Sequence, residues 1–435
     1  MASDGGQGRA RWKCIPRKIP LQPKSAEDQS GARLPRSATG YRFGAEGELY
    51  ALPSRRRDPT TDTSRNMPPV RDDRTDLLSL NPVALQAVAG DFLRERKEPA
   101  YRADQLAKWV YGGEAQTISE MTNLPKGLRE ALAERFVLAE PEVERVSRSE
   151  DGTTKHLWRL VDGELVESVL IPTGDRLTLC ISSQAGCAMG CTFCATGWSG
   201  FSRQLSVGEI VSQYRASRRW SSAEGHRPIS NIVYMGMGEP LSNRAAVITS
   251  LTILNQGFGV GARRITISTV GVVPGIMELA QRPEQFRLAV SLHAPNSELR
   301  QTLVPLEKRH PLPELIEALR AFDAAGGKRI TFEYTMIRGV NDDPALAVQL
   351  AALATGLQAF VNLIPFNPIP YKDWRPSTPQ RIRTFQKLLQ DRGVGAAVRE
   401  PRGQDIDAAC GQLRARALGE NALPVVDGDG RRLSA

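Results

Sequence analysis

From residue 175 onward the chain repeats one unit six times: a short run rich in β-branched and aliphatic residues, then a stretch with helical periodicity. The strand candidates are LTLCISS (177–183), NIVYMGM (231–237), RITIST (264–269), RLAVSLH (287–293), ITFEYTMI (330–337) and FVNLIPF (360–366). Runs such as SVGEIVSQYRASRRW, VPGIMELAQ and PALAVQLAALATGL separate them, and PQRIRTFQKLLQDRG follows the sixth. Strands joined through helices lie parallel in one sheet with the helices on its face, which leaves an open doubly wound sheet or a partial barrel. In either geometry the chemistry gathers at the C-terminal ends of the strands.

Ahead of this repeat the pattern differs. Three helical stretches, PVALQAVAGDFLRERK, ADQLAKWVYGG and LPKGLREALAERF, predict a small helical module over 78–139. Residues 140–172 alternate apolar and polar positions around Asp151-Gly152 and Asp162-Gly163, which predicts an antiparallel connector of hairpins. Residues 1–75 are rich in Gly, Pro, Ser and Arg without sustained periodicity and read as a disordered basic extension. A short tail, 416–435, follows the repeat. The whole chain carries 57 Lys and Arg against 48 Asp and Glu. The first 75 residues hold 15 and 9 of these, so two thirds of the net charge of +9 belongs to the extension and only +3 remains for the other 360 residues. RNA or another polyanion is therefore expected to meet a localised basic surface, for which Arg203, Arg218, Arg219, Arg263, Arg264, Arg399 and Arg402 are candidates. No stretch is apolar enough to predict a membrane span, and no apolar leader follows the N-terminal basic residues.

The six cysteines are too few to staple a chain of this length, and the expected compartment is the reducing cytoplasm. Three of them form Cys187-Ala-Met-Gly-Cys191-Thr-Phe-Cys194 in the loop after the first strand. That spacing points three sulfurs at one soft centre. A structural zinc needs four ligands, and Cys180, seven residues earlier inside a strand pattern, is a poor fourth. Three cysteines on a [4Fe-4S] cluster leave one iron open, where a reactant can bind.

The C-x3-C-x2-C spacing after the first of six β/α units resembles the radical S-adenosylmethionine (SAM) superfamily. A closer resemblance rests on six ordered strings, TLCISSQAGCAMGCTFCATG, YMGMGEPL, ISTVGVVPG, SLHAPN, NLIPFNP and DIDAACGQL. From about residue 78 to 415 the chain is similar to the RlmN family of dual-specificity radical SAM RNA methyltransferases. The resemblance implies a partial (β/α)6 barrel and methylation at C2 of adenosine, in 23S rRNA near the peptidyl-transferase centre and in tRNA beside the anticodon.

It also implies roles for particular residues. Cys187, Cys191 and Cys194 hold the cluster, and SAM meets Gly238, Glu239, Ser268, Ser291, Leu292, His293 and Asn367. Cys410 carries the methyl group, on a loop that Arg402-Gly403 and Gly411 suggest is flexible. Cys180 is the second active cysteine and closes a disulfide with Cys410, and Glu167 accepts a proton. The carbon between two ring nitrogens of adenine has no lone pair to attack the methyl of SAM, which is why a carrier thiol and a radical are needed. An electron donor such as flavodoxin or ferredoxin and a monomeric state are further expectations. Two alternatives remain: the related enzyme that methylates C8, and a non-catalytic, metal-stabilised RNA-binding protein. Pro240 after Glu239 and Pro295-Asn296 favour the C2 enzyme over the first.

Overall fold

The computed structural model describes residues 73–413 apart from 114 and 327–328, together with two short strands, Tyr41–Phe43 and Leu49–Ala51. Of the extension expected over 1–75, those two paired strands and residues 73–75 are described, and the remainder, like the tail, lies outside the described residues.

Asn81 caps the first helix of the module, α1 (Pro82–Glu95), by accepting from the Ala84 amide, and Pro82 supplies a preset first turn. Gly113, at φ +81°, ends α2 (Arg102–Gly112), and α3 (Lys126–Arg135) follows. The apolar faces of the three helices close a core of their own around Leu85, Phe92, Leu106, Val110, Leu128 and Leu132. That core also takes in Val211 from the helix Val207–Ala223, whose buried Arg215 reaches back across the junction. The Arg215 guanidinium donates to the carbonyls of Val110 (3.2 Å) and Ala115 and pairs with Glu140, which also holds Arg219. A buried cation is tolerable only with its donors satisfied, so this junction is specific as well as apolar.

All six strands of the repeat form, as β1 (Arg176–Cys180), β2 (Asn231–Tyr234), β3 (Ile265–Thr269), β4 (Arg287–Ser291), β5 (Ile330–Met336) and β6 (Phe360–Pro365). They pair in parallel and in sequential order, with Leu179 opposite Ile232, Ile232 opposite Ile265, and Ser291 opposite Glu333. A doubly wound sheet reverses its order at a switch point, and this one does not, so the fold is a partial barrel. A seventh parallel strand, β7 (Ala396–Val398), pairs with β6; three residues are too few to carry a period.

The hairpins expected over 140–172 are present, yet they do not make a separate sheet. Strand Leu165–Thr173 runs antiparallel to β1, with Val169 opposite Cys180, and Thr154–Arg159 and Glu142–Arg148 extend the same sheet beyond it. On the inner face of these strands His156 is fully buried, stacks on Trp158 at 4.8 Å and meets Trp220 edge-on at 4.5 Å. Burial, and then the charge of Arg148, pushes its pKa from 6.5 down to about 3. Between those values the unfolded chain binds the extra proton, so stability falls as the pH drops below 6.5. His156→Phe keeps the ring stack and removes the proton site. Thermal melts at pH 7 and pH 5 should show the parent chain losing up to about 1.4 kcal/mol per pH unit below 6.5 that the variant retains; equal losses in both would contradict this.

Candidate active site

The sequence patterns of β1, β2 and β4 run on past the observed strand ends, and those surplus residues build the site. Beyond Cys180 and Tyr234 the chain leaves the ladder but stays tied: the Gly236 amide donates to the Ile181 carbonyl (3.0 Å), and the Ser183 amide to that of Met237 (2.8 Å). Here two glycines are dictated by space. A Cβ on Gly236 would stand 2.7 Å from the Ile181 carbonyl, and one on Gly238, at φ +99°, would stand 2.5 Å from Gln184 Cβ.

These loops surround a cavity of about 960 Å³, open mouth included, at the C-terminal ends of the barrel strands. Ten of the thirteen expected site residues line it: Cys187, Cys191, Cys194, Gly238, Glu239, Ser268, Ser291, His293, Asn367 and Cys410. Three do not. Leu292 is buried in the barrel core. Cys180 lies buried at the end of β1, close enough to Cys410 for their charges to interact. Glu167, expected on a strand face, is 2% exposed and ion-paired with Lys155 Nζ at 3.0 Å. Lys155 also donates to the Asp407 carbonyl in the Cys410 loop.

Each group in the cavity is held. The two Glu239 oxygens accept from the Leu241 amide (3.0 Å) and the Val270 amide (2.8 Å), while burial raises its pKa to about 7. His293, at φ +59°, accepts from the Thr335 amide at Nδ1 (3.0 Å), so a neutral ring carries its proton on Nε2. Burial lowers its pKa to about 3 and secures that neutral form. Its Nε2 is buried without a partner, a donor left for a ligand in the cavity.

The Cys410 loop is stitched down in this conformation. The Ala195 amide donates to the Gly411 carbonyl (2.6 Å), Thr196 Oγ1 to that of Leu413 (2.7 Å) and Asn367 Nδ2 to that of Cys410 (3.0 Å). At the far end Gly403 donates to Asp151, and Ser149 Oγ to Asp405 (2.6 Å). Cys410 itself is exposed on the cavity wall. Cys180 and Cys410 are both free thiols, so the disulfide expected of them is not formed in this structure.

The cavity also contains two charged residues that sequence reasoning did not assign to it. Glu333 on β5 is buried, accepts from Asn362 Nδ2 (2.9 Å) and leaves Oε2 without a hydrogen bond. Arg399, at the end of β7, stands 3.8 Å from that oxygen. Cys410 strengthens the hold of Arg399 on its proton, against burial, and Glu333 and Cys180 add to that hold. Arg399 therefore belongs to the cavity, although it had been a candidate for phosphate binding. Two other candidates are engaged internally: Arg203 pairs with Asp162 and Glu209, and Arg219 with Glu140.

The three loop cysteines suit an iron–sulfur cluster. Burial raises the pKa of each, Cys187 to about 12 and Cys191 well above the usual thiol range, which favours the proton until a cation binds at sulfur. Three thiolates on a four-iron cluster leave one iron open for a ligand, and Cys187, Cys191 and Cys194 line the same cavity as His293 and Glu239. The donor of His293, the Gly238 approach and Glu239 fit a polar ligand such as SAM beside it.

Comparison with known proteins agrees with this geometry. Residues 181–351 match the Radical SAM superfamily, and with the relatives below this makes the chain a radical SAM enzyme. Residues 75–138 match the ribosomal RNA large subunit methyltransferase N-terminal domain. The chain is 51% identical over 356 residues to a probable dual-specificity RNA methyltransferase RlmN from Gemmatimonas aurantiaca, covering 81% of this chain and 97% of that protein. It is 48% identical over 321 residues to one from Thermosynechococcus vestitus, covering 74% and 94%. The crystal structure of a radical SAM methyltransferase from Sphaerobacter thermophilus superposes with a TM-score of 0.75 at 47% identity, covering 79% of this chain and all of that one. The chain belongs to the RlmN family of dual-specificity RNA methyltransferases.

Proposed function

We infer that this RNA methyltransferase acts at C2 of adenosine, in 23S rRNA at the peptidyl-transferase centre and in tRNA next to the anticodon, with the methyl group carried on Cys410. The observation that supports a relay is the placement of an exposed Cys410 on the wall of the cavity that holds the three loop cysteines, with a second thiol, Cys180, behind it.

Cys187, Cys191 and Cys194 would hold the [4Fe-4S] cluster, and Gly238, Glu239, Ser268, Ser291, His293 and Asn367, with the Leu292 backbone, would hold SAM. When bound, the cluster would supply, from a flavodoxin- or ferredoxin-type donor, the electron for cleavage of a second SAM into methionine and a hydrogen-abstracting radical. The chain's own residues supply the rest. Cys410, whose sulfur lies near Arg399, would take the methyl group of one SAM by displacement at carbon, with S-adenosylhomocysteine as the leaving group. Its methyl carbon, after losing hydrogen, is positioned by the loop to meet the adenine. Glu167 is the carboxylate we assign to accept the ring proton, although it stands off the cavity wall in this conformation, ion-paired with Lys155. Cys180 then attacks the Cys410 sulfur: an S–S bond replaces the C–S bond, the released carbon takes up a proton to become the methyl group, the surplus electron of the radical adduct returns to the donor side, and a cellular thiol reductant reopens the disulfide. The target base must leave its stack to enter a cavity of this depth, which structured RNA permits at loops, and the helical module positions that RNA. The enzyme acts as a monomer in the cytoplasm.

Nucleoside mass spectrometry of rRNA from a deletion strain tests the position of methylation. Loss of 2-methyladenosine is expected; loss of 8-methyladenosine with 2-methyladenosine intact would assign the chain to the C8 reaction. Anaerobic purification should give brown protein with about four irons per chain. Colourless, zinc-bound protein would support the non-catalytic alternative.

A further inference from the structure

Arg300 is fully buried, a rare place for a guanidinium. It lies on the helix Ser297–Leu303 that follows β4. Nη1 pairs with Glu307, itself 3% exposed, and Nη2 donates to the Val270 carbonyl at 2.5 Å. Glu307 in turn accepts from the Leu312 amide at 2.8 Å. The pair is thus anchored at both ends.

The same helix is fastened to the cysteine loop. The Thr192 amide donates to the Leu303 carbonyl at 3.1 Å, and Thr192 Oγ1 reaches the carbonyls of Thr302 and Leu303 at 3.4 Å. Cys191 packs in one buried apolar group with Leu303, Val304 and Ala294, and Val270, which Arg300 holds, packs against it. Arg300 holds the carbonyl of Val270, a residue of the cavity wall that packs against the Cys191 group, whereas Glu307 turns to the Leu312 amide, so the pair presents its positive end to the cysteine loop. A buried pair of this kind is seldom a net gain in stability over apolar residues of similar volume, so its retention asks for another reason.

We propose that the Arg300–Glu307 pair sets the reduction potential of the cluster held by Cys187, Cys191 and Cys194, with Arg300 raising it. Reduction adds negative charge to a centre buried in low dielectric, and a fixed cation beside it favours the reduced form. Glu307 limits that effect and keeps the cation in place. Arg300 does not touch the reacting atoms and is a positioning residue in this sense.

The inference rests on the cluster assignment, and the two are tested separately by redox titration of the anaerobically reconstituted full chain, followed by the electron paramagnetic resonance of the reduced cluster. Glu307→Gln, which leaves the cation less compensated, should move the midpoint to more positive potential. Arg300→Met combined with Glu307→Leu removes both charges without leaving one unpaired, and should move it to more negative potential. Arg300→Lys, which keeps the charge, should stay near the parent. A midpoint common to all four proteins, or a shift of the same sign in the first two variants, overturns the proposal. A parent chain that takes up no four-iron cluster overturns the cluster assignment instead, and this inference with it.

Discussion

Cys410→Ala protein should purify with a full complement of iron and parent-like stability, and transfer no methyl group to RNA. The loop around Cys410 is held through main-chain atoms: the carbonyls of Cys410, Gly411 and Leu413 accept from Asn367, Ala195 and Thr196, and alanine leaves all three in place. The thiol is exposed, so its removal opens no cavity in the core, and the change in stability should stay within about 0.5 kcal/mol. What is lost is the sulfur itself, the only atom in the relay able to receive a methyl group and present it to adenine. Iron content, a thermal melt and mass spectrometry of the nucleosides separate these effects. Wild-type levels of 2-methyladenosine from this variant would end the relay mechanism.

That separation depends on how the loop is built, and little of its architecture was visible beforehand. The six barrel strands were legible because each is a short run rich in β-branched and aliphatic residues, closed by polar turns and set apart from the next by a helical period. The same run hides where a strand stops. SLH looks like the end of β4, yet only Ser291 stays in the ladder; Leu292 turns into the core and His293 adopts positive φ to face the cavity. A one-dimensional pattern cannot show that turn, because a buried leucine reads alike in a strand and beyond it. The hairpins were legible from Asp-Gly turns, whereas their fusion to β1 through the Val169–Cys180 pairing is a long-range contact that no local signal encodes.

Charged residues were the least legible. Arg215, Arg300 and Glu333 stand in ordinary amphipathic or alternating sequence, where a charge is normally solvated, and each is buried beside an ionic partner, Glu140, Glu307 and Arg399 respectively, that lies outside its own element. Arg399 looked like one arginine among many suited to phosphate. Its role became readable only through β7, a strand of three residues that carries it to the sheet edge beside Cys180, Cys410 and Glu333. The cysteines were legible for the opposite reason: C-x3-C-x2-C encodes its geometry within eight residues.

Cys180→Ala should stop after a single turnover, with RNA covalently bound to Cys410. Cys180 differs from its partner in every physical respect. It is buried at the end of β1, paired on both sides through Val169 and Val233, and cannot travel to the substrate. Burial, with a smaller contribution from neighbouring Cys410, pushes its thiol up to about 12, so it is inert while the loop carries out methyl transfer and addition. In the proposed relay the adduct on Cys410 is a thioether, which water does not cleave, and among the described residues the free thiol beside it, apart from the three assigned to the cluster, is Cys180. Arg399 supplies the nearby cation that ionisation of this thiol requires. Without that sulfur the methylene bridge persists, and labelled RNA should migrate with the protein through a denaturing gel until ribonuclease removes it. Cys410→Ala in the same background should abolish the band. A Cys180→Ala enzyme that releases methylated RNA over many turnovers, with no bound intermediate, would remove this cysteine from the reaction.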